Sequence, residues 1–364
     1  MRLSLLVLFC IVLQEHSLYA QTVGSVQLMD LSWPEAERVL HSSSVVLIPL
    51  GAGCKEHGPH LPLATDHLQA TWLTERVMAE RSLVVMPEIN YGYYPFFTRF
   101  PGSTTVRYTA ARDMVVDICR GLSAFGPKRF YIINIGISTL PVLREAATQL
   151  AEEGVVLYFT DLDAPPMMAL EKQHCIQLEG THADEVETSL MLHMHPEMVD
   201  MSKAVKDYGT RNGAGILVRT AGGSGLHAPS GIYGDATLAT PAKGKVLTDG
   251  LLRMILSDID SLGSASPPAV KHDPALAEFV GSYRMANGDE VRIAHANNAF
   301  TFTTAKGFTT VLHRVAGDHF AGFTADVRFV RNDAGQVTGM DAVLQNGAGL
   351  TARRVSDPPV EGRP

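Results

Sequence analysis

Short apolar runs alternate with helix-like patterns over the first half of the chain, and this order restricts the fold more than any other feature. The apolar runs cover residues 45–50, 82–87, 129–134 and 155–160. Between them, apolar residues recur at helical spacing in 68–78, 107–125 and 139–153. This alternation predicts an α/β fold in which helices sandwich a mostly parallel sheet.

Two more helical patterns and a glycine-rich segment complete this first unit. Residues 182–194 begin with acidic side chains, which favour a helix N-terminus, and continue with a stripe of apolar ones. A loop is expected over 213–234 and a helix over 243–262. We therefore assign residues 24–262 to one α/β domain.

The character of the sequence changes after residue 262. Residues 263–276 have the composition of a linker. Over 277–356, short alternating apolar runs are separated by turn signals such as Asn287-Gly288 and Lys306-Gly307, at intervals of about ten residues. This pattern predicts a small antiparallel β barrel or sandwich, and a structural, docking or lid role is expected because it holds no catalytic cluster.

The N-terminus has the pattern of a secretory signal. Arg2 precedes an apolar run over 3–13, and Ala20 offers a small residue at a cleavage site. A membrane anchor would need about 20 apolar residues, and polar residues at 14–16 interrupt the run. We expect a signal peptide at 1–20 and an exported protein, periplasmic or secreted, with no membrane attachment after cleavage.

Charge and cysteine content exclude other functions. The formal net charge of -8 and the isoelectric point near 5.9 argue against nucleic-acid binding. Cys54, Cys119 and Cys175 form no CxxC pair, so a structural zinc site is not expected. They permit one disulfide at most, and a buried apolar role is expected for Cys119.

Polar residues with metal-binding chemistry follow the first apolar run. Glu56, His57, His60, Asp66 and His67 lie on a Gly- and Pro-rich segment that neither helix nor strand periodicity explains. Carboxylate and imidazole together suit Zn²⁺ or Mn²⁺, and His57 and Asp66 are the first candidates. His60 could instead orient a ligand, and a solvated turn with incidental histidines is the alternative.

A second polar cluster opens the helical pattern at 182. His182, Asp184, Glu185 and Glu187 offer an acid–base histidine and further carboxylates. A helix whose acidic first turn is simply solvated is the alternative for this segment. An aspartate can bridge two ions, and a bridging water then becomes a hydroxide near neutral pH that can attack an amide carbon.

The two clusters and the segments between them resemble the creatininase (creatinine amidohydrolase) family over about residues 24–262. The matching segments are VLIPLGAGCKEHGPHLPLATD at 46–66, Met86-Pro87, Tyr91-Gly92-Tyr93, Phe100-Pro101-Gly102-Ser103-Thr104 and the block at 182–192. The resemblance implies an α/β sandwich, a binuclear metal centre, hydrolysis of linear or cyclic amides, and a homo-oligomer, often a hexamer. The C-terminal β unit is not part of the usual family.

The resemblance also implies roles for single residues. The family's metal-binding histidine falls on His57 and its bridging aspartate on Asp66. Its proton-transferring histidine falls on His182, and the glutamate of its ETS segment falls on Glu187.

The sequence departs from the family at three positions. Lys55 stands where a metal-binding glutamate is expected, although Glu56 could replace that ligand by a one-residue shift of the loop. Gly136 stands where a metal-binding histidine is expected, and Ser138 where creatinine-hydrolysing members have a carboxylate. If Lys55 points inward, its ammonium could occupy the vacated position as a cation replacing a metal. One ion or two therefore remain as alternatives.

We expect an exported Zn- or Mn-dependent amidohydrolase that acts on a small linear or cyclic, non-peptide amide. Glu56, His57 and Asp66 would hold the metal, and a metal-bound hydroxide would attack the amide carbon. His182 would protonate the departing nitrogen, with Glu187 as its catalytic partner.

A binding protein that keeps the fold but has lost its catalytic centre is the alternative function. The changes at Gly136 and Ser138 favour it. Creatinine itself is disfavoured as the substrate, because the carboxylate position is occupied by Ser138.

Overall fold

The computed structural model describes most of the chain, in six segments. They are 24–42, 45–213, 215–270, 274–296, 299–345 and 347–355. The signal peptide expected at 1–20 lies outside the described residues. None of the helices in the described segments has the length and hydropathy of a membrane span.

A five-stranded sheet forms the centre of the α/β domain. Its strands are β1 (Val26–Gln27), β2 (Val46–Leu50), β3 (Val84–Val85), β4 (Arg129–Asn134) and β5 (Val156–Phe159). The strand order is β1-β3-β2-β4-β5, and every neighbouring pair is parallel. The parallel sheet predicted from the sequence is therefore confirmed, with the unpredicted two-residue strand β1 at one edge.

In the described part of the chain, seven α-helices pack around this sheet. They are α1 (Trp33–Ser42), α2 (Thr65–Glu80), α3 (Tyr108–Ser123), α4 (Leu140–Glu152), α5 (Pro165–His174), α6 (Glu185–Met194) and α7 (Pro241–Ser264). Ile48 of β2 packs in a core with residues of α1, α3 and α4. Its neighbour Leu47 packs in a second core with residues of α2, α6 and α7. Since successive strand residues face opposite sides, the sheet is covered on both faces, as expected.

Short strands lie within and just before the segment 213–234, where a glycine-rich loop was predicted. β6 (Lys206–Asp207) and β7 (Thr210–Asn212) precede this segment, and β8 (Leu217–Val218), β9 (Gly225–His227) and β10 (Gly234–Asp235) interrupt it. The predicted loop therefore contains short strands. Strands of two or three residues carry no periodic pattern, so the sequence gives no signal for them.

The C-terminal region is a closed barrel of eight strands. After the short helix α8 (Pro274–Ala277) come β11 (Gly281–Met285), β12 (Glu290–Ala296), β13 (Ala299–Thr303), β14 (Thr309–Ala316), β15 (His319–Ala321), β16 (Ala325–Arg331), β17 (Val337–Leu344) and β18 (Gly349–Arg354). All pairs are antiparallel, and β11 pairs with β18 to close the barrel. Aromatic side chains such as Phe279, Tyr283 and Phe320 fill the interior. Of the two predicted forms, barrel and sandwich, the structure shows the barrel.

The three cysteines expected in the mature chain are free thiols. Cys119 is buried in the core between α3 and the sheet, as predicted, while Cys54 is exposed and Cys175 is half-buried. No disulfide therefore links them.

Helix α6, which carries the second polar cluster, packs closely against α7 at Gly244. A Cβ atom at Gly244 would overlap the carbonyl oxygen of Ser189 in α6. Only glycine allows this approach without moving one of the helices.

We predict that Gly244→Ala destabilises the α/β domain by about 1–3 kcal/mol, because the added methyl group overpacks a rigid backbone contact. Urea unfolding followed by circular dichroism measures this. Gly263→Ala in the same helix is the matched control: nothing lies within 4 Å of its Cβ position, so its stability should be unchanged or higher. Equal effects of the two variants would contradict the close contact.

Candidate metal centre

The first polar cluster lies at the carboxyl edge of the parallel sheet. The loop that follows β2 carries Lys55, Glu56 and His57, and the first turn of α2 carries Asp66. The backbone N–H of Lys55 donates to the carbonyl of Leu63 (2.9 Å), which closes this loop on itself. Open parallel sheets bind ligands at this edge.

His57 is buried and held with one ring nitrogen toward the site. Its Nδ1 lies 2.8 Å from the carbonyl oxygen of Lys55, to which Nδ1–H can donate. Its Nε2 then faces two carboxylates, with Asp66 Oδ1 at 2.8 Å and Glu187 Oε1 at 3.3 Å. A backbone acceptor on one nitrogen is the usual way in which a metal-binding imidazole is oriented.

Asp66 lies between two cationic groups. Its second oxygen, Oδ2, is 2.8 Å from Nζ of Lys55. The Lys55 ammonium is itself buried and lies 4.8 Å from the centre of the Phe97 ring. Lys55 therefore points inward, and the structure resolves which way this side chain faces.

Glu187 is positioned by the cap of α6. The Asp184 carboxylate accepts the backbone N–H groups of Val186 and Glu187, each at 3.0 Å. In return, Glu187 Oε2 accepts the N–H of Ala183 at 2.6 Å, which is a reciprocal cap of the helix start. Ala183 has a φ of 49°, unusual for a residue with a Cβ, and this turn directs His182 and Glu187 to the same side.

His182 reaches the cluster from a short backbone bridge. Its N–H donates to the carbonyl of Tyr233, and its carbonyl accepts from the N–H of Tyr233. Its Nε2 lies 3.1 Å from Glu56 Oε2, and its Nδ1 lies 3.6 Å from Glu187 Oε2. The Glu56 carboxylate also accepts the N–H of Gly58. Glu56 therefore contacts His182 and lies outside the His57–His182–Glu187 group.

His60 and His67 occupy different positions from the cluster. Nε2 of the buried His60 lies 2.7 Å from the hydroxyl of Thr188, one residue after Glu187. Burial lowers the pKa of His60 to about 4, which keeps this imidazole neutral. His67 is paired with Glu88.

Charges in the cluster stabilise one another. Burial and the Lys55 ammonium lower the pKa of His57, but Glu187 and Asp66 outweigh them and raise it to about 9. Burial raises the pKa of Asp66, but Lys55 and His57 hold it below its ordinary value. Burial also opposes ionisation of Glu187, yet His57, His182 and Lys55 lower its pKa strongly. The carboxylates are therefore ionised at neutral pH and available to a cation.

The residues fit one divalent ion. Ligand atoms of His57, His182 and Glu187 all lie within 4.8 Å of one another. Each histidine has an acceptor on its other nitrogen, the carbonyl of Lys55 for His57 and the carboxylate of Glu56 for His182. Two imidazoles and one carboxylate are a common ligand set for zinc.

The other oxygen of Asp66 is occupied by an ammonium. The Lys55 ammonium lies on Asp66 Oδ2, where a bridging aspartate would bind another ion. Leu50 and Asn134 are paired at the ends of β2 and β4, so the turn after β4 faces the same edge. This turn presents Gly136, which has no side-chain donor.

A large cavity opens beside the cluster. It has a volume of about 880 Å³, and Lys55, His182 and Glu187 line one part of it. Its other walls are mainly apolar and aromatic, and they include Tyr93, Phe96, Phe97, Tyr108, Ile137, Met167, Met168 and Leu226. Cavities of about 300–1,000 Å³ typically enclose small organic ligands.

Sequence reasoning missed two residues of this site. Gln69 is buried, lines the cavity, and has no hydrogen-bond partner for its Nε2 among the described residues. It lies one turn after Asp66 on α2, and this i, i+3 spacing is the signal that could have identified it. Gly231 lies against Glu56, whose carboxylate would overlap a Cβ atom there; no local pattern indicates such a contact.

The fold and the cluster define an α/β protein with a candidate metal centre at the carboxyl edge of its parallel sheet. The chain belongs to the creatininase family, because the family model, described as creatinine amidohydrolase, matches residues 29–259. The barrel follows this matched region.

Two curated relatives and two solved structures illustrate the similarity. A creatinine amidohydrolase of Pseudomonas putida is 30% identical over 199 residues, which cover 50% of this chain and 76% of that protein. A mycofactocin precursor peptide peptidase of Mycolicibacterium smegmatis is 31% identical over 216 residues, which cover 57% and 81%. A manganese form of creatininase and a Zn–Zn type mutant are 22% and 24% identical; each has a TM-score of 0.52 and matches 66% of this chain and 100% or 99% of the other.

We predict that His57→Ala lowers Mn²⁺ affinity by more than about 100-fold, because it removes a ligand and not merely an outer hydrogen-bond partner. Isothermal titration and elemental analysis of the purified protein measure this. His67→Ala is the control from the same segment and should keep the affinity of the wild type. Unchanged metal content in His57→Ala would remove His57 from the ligand set.

Glu171 gives a prediction on pH, since it lies in the wall of the cavity. Burial, and then the carboxylates of Asp184 and Asp163, raise the pKa of Glu171 to about 7. A raised pKa in the folded state favours the protonated form, so this contribution to stability is complete below pH 4.5 and is lost as the pH rises through 7.

Glu171→Gln should therefore gain stability relative to the wild type as the pH rises from 5 to 8. Urea unfolding at both pH values tests this, with Glu75→Gln at an exposed site of α2 as the control. If the difference in unfolding free energy between Glu171→Gln and the wild type stays constant with pH, the pKa of Glu171 is not raised by folding.

Proposed function

We propose that this protein is a divalent-metal-dependent hydrolase of an amide bond. One observation carries the proposal: His57, His182 and Glu187 converge at the wall of a large cavity, and each imidazole is oriented by an acceptor on its other nitrogen. Creatininase structures in manganese and zinc forms support Mn²⁺ or Zn²⁺ as the ion.

The ion would be held by His57 Nε2, His182 Nδ1 and Glu187. When bound, it supplies a Lewis acid that polarises a carbonyl oxygen or lowers the pKa of a water. His182 is a ligand in this proposal and not the proton donor expected from the resemblance, since Nε2–H is directed to Glu56 and Nδ1 faces Glu187.

Other residues of the cavity wall would bind the substrate. Lys55 Nζ and Gln69 Nε2 both carry N–H groups at the cavity, and an amide carbonyl oxygen can accept from them. Donors directed at an oxygen that gains negative charge in the transition state lower the barrier to hydrolysis. The apolar walls exclude water from the rest of the substrate and favour one with an apolar or aromatic group.

The size of the cavity supports a substrate larger than a simple cyclic amide. The non-peptide character expected from the sequence stays a prediction, because one relative is a peptide peptidase. A short peptide with apolar side chains is therefore the second candidate substrate, and the volume of about 880 Å³ favours it.

Export and self-association belong to the same proposal. The signal-like N-terminus supports export to the periplasm or the outside. Exposed apolar side chains such as Ile176 and Leu178 support a homo-oligomer, because large exposed apolar groups often mark a contact between proteins.

We predict hydrolysis that requires Mn²⁺ or Zn²⁺ and is lost with a chelator. The metal-loaded protein would be assayed by mass spectrometry against creatinine, other cyclic and linear amides, and short apolar peptides. Glu187→Gln should lower kcat/KM by about 100-fold or more, since a neutral amide binds the ion less well, while Glu75→Gln should behave as the wild type.

Two outcomes would decide between hydrolysis and binding. Ion binding with cleavage of any substrate supports the proposal. An absence of bound metal together with an absence of hydrolysis would contradict it and would favour the binding protein that the changes at Gly136 and Ser138 suggest.

A further inference from the structure

The ion pair between Lys55 and Asp66 is the part of the site that the ligand set does not explain. Lys55 is 4% exposed and Asp66 is 1% exposed, so neither charge is stabilised by water. Their contact at 2.8 Å is supplemented on the side of Lys55 by the ring of Phe97. Burying a lysine is costly unless its charge has a partner, so this arrangement indicates a specific role.

Asp66 contacts a cationic group with each of its oxygens. Oδ1 is shared with the imidazole of His57, and Oδ2 with the ammonium of Lys55. A carboxylate that bridges two ions uses its oxygens in the same way, one for each charge. The ammonium is a compact point charge, and in this respect it resembles a metal ion.

At Gly136, the turn after β4 offers no side-chain donor for a further ion. Gly136 lines the cavity, but its carbonyl accepts from Asn134 Nδ2 (2.8 Å) and from the Thr139 hydroxyl (2.6 Å). Its N–H donates to Asn134 Oδ1 at 3.2 Å. The backbone N–H and carbonyl of Gly136 are therefore both satisfied within the turn.

We propose that Lys55 is a built-in cation that takes the place of the second ion of a binuclear centre, so that this site holds one ion fewer. Gly136 removes a ligand that the second ion would need. The ammonium of Lys55 supplies the positive charge that this ion would have provided. This inference rests on the metal binding in the proposed function and not on hydrolysis.

The double variant Lys55→Glu with Gly136→His tests the inference, because it removes the internal cation and adds two donors. A Cβ atom at 136 would lie 3.1 Å from the Thr139 hydroxyl, which must shift by a few tenths of an ångström to admit a side chain; its other neighbours lie at 3.7 Å or more. Gly136→His alone is the matched control, since it adds a donor but keeps the ammonium. Mn²⁺ per chain is measured by elemental analysis and by isothermal titration.

The expected result is one more Mn²⁺ per chain in the double variant than in the wild type, with Gly136→His equal to the wild type. The inference would be overturned by two Mn²⁺ ions in the wild type or by no additional ion in the double variant. It would also be overturned if Gly136→His alone gained the same additional ion. Since the test compares the number of bound Mn²⁺ ions between variants, it does not depend on hydrolysis. A wild type without any ion would contradict the proposed function and the inference together, whereas one ion in the wild type with no gain in the double variant would overturn the inference alone.

Lys55→Met with Gly136→His provides a second test if the first double variant does not fold. This variant removes the ammonium and supplies the donor at 136, so Mn²⁺ binding at Asp66 Oδ2 should stabilise the fold. Its Tm should therefore rise more on addition of Mn²⁺ than the Tm of Gly136→His alone. An equal or smaller rise would overturn the inference.

Discussion

The interaction on which the site depends is the buried carboxylate of Asp66, which lies between Lys55 and His57. An isolated carboxylate in this environment would be costly, and two cationic neighbours remove that cost. They also fix its orientation, with one oxygen toward each neighbour. The position of His57, and through it the geometry toward Glu187, follows from this arrangement.

The fold brings these residues together from distant parts of the sequence. The parallel sheet places the loop after β2 beside the turn after β4. Helix α6 delivers Glu187 from the other side, with its start fixed by Asp184 and its packing on α7 permitted by Gly244. The site forms where the loop after β2, the turn after β4 and the start of α6 meet at the carboxyl edge of the sheet.

Much of this architecture could be predicted because buried segments appear in the sequence as apolar runs or as apolar residues at helical spacing. Strand β4 was predicted with its observed bounds, 129–134, since all but its first residue are buried. The contacts within the site could be predicted less well. His182 and Glu187 are distant in sequence from His57, and neither spacing nor periodicity reports on which nitrogen faces which carboxylate. The orientation of Lys55 was likewise open, because a one-residue shift of the loop exchanges it with Glu56.

Anomalous diffraction from crystals of the metal-loaded protein would locate the ion. We expect a single strong peak at the zinc or manganese edge, at about 2.0–2.2 Å from His57 Nε2, His182 Nδ1 and a Glu187 oxygen. Lys55 Nζ should remain on Asp66 in the same map. A peak elsewhere, two peaks, or no peak in crystals grown with excess metal would contradict this expectation.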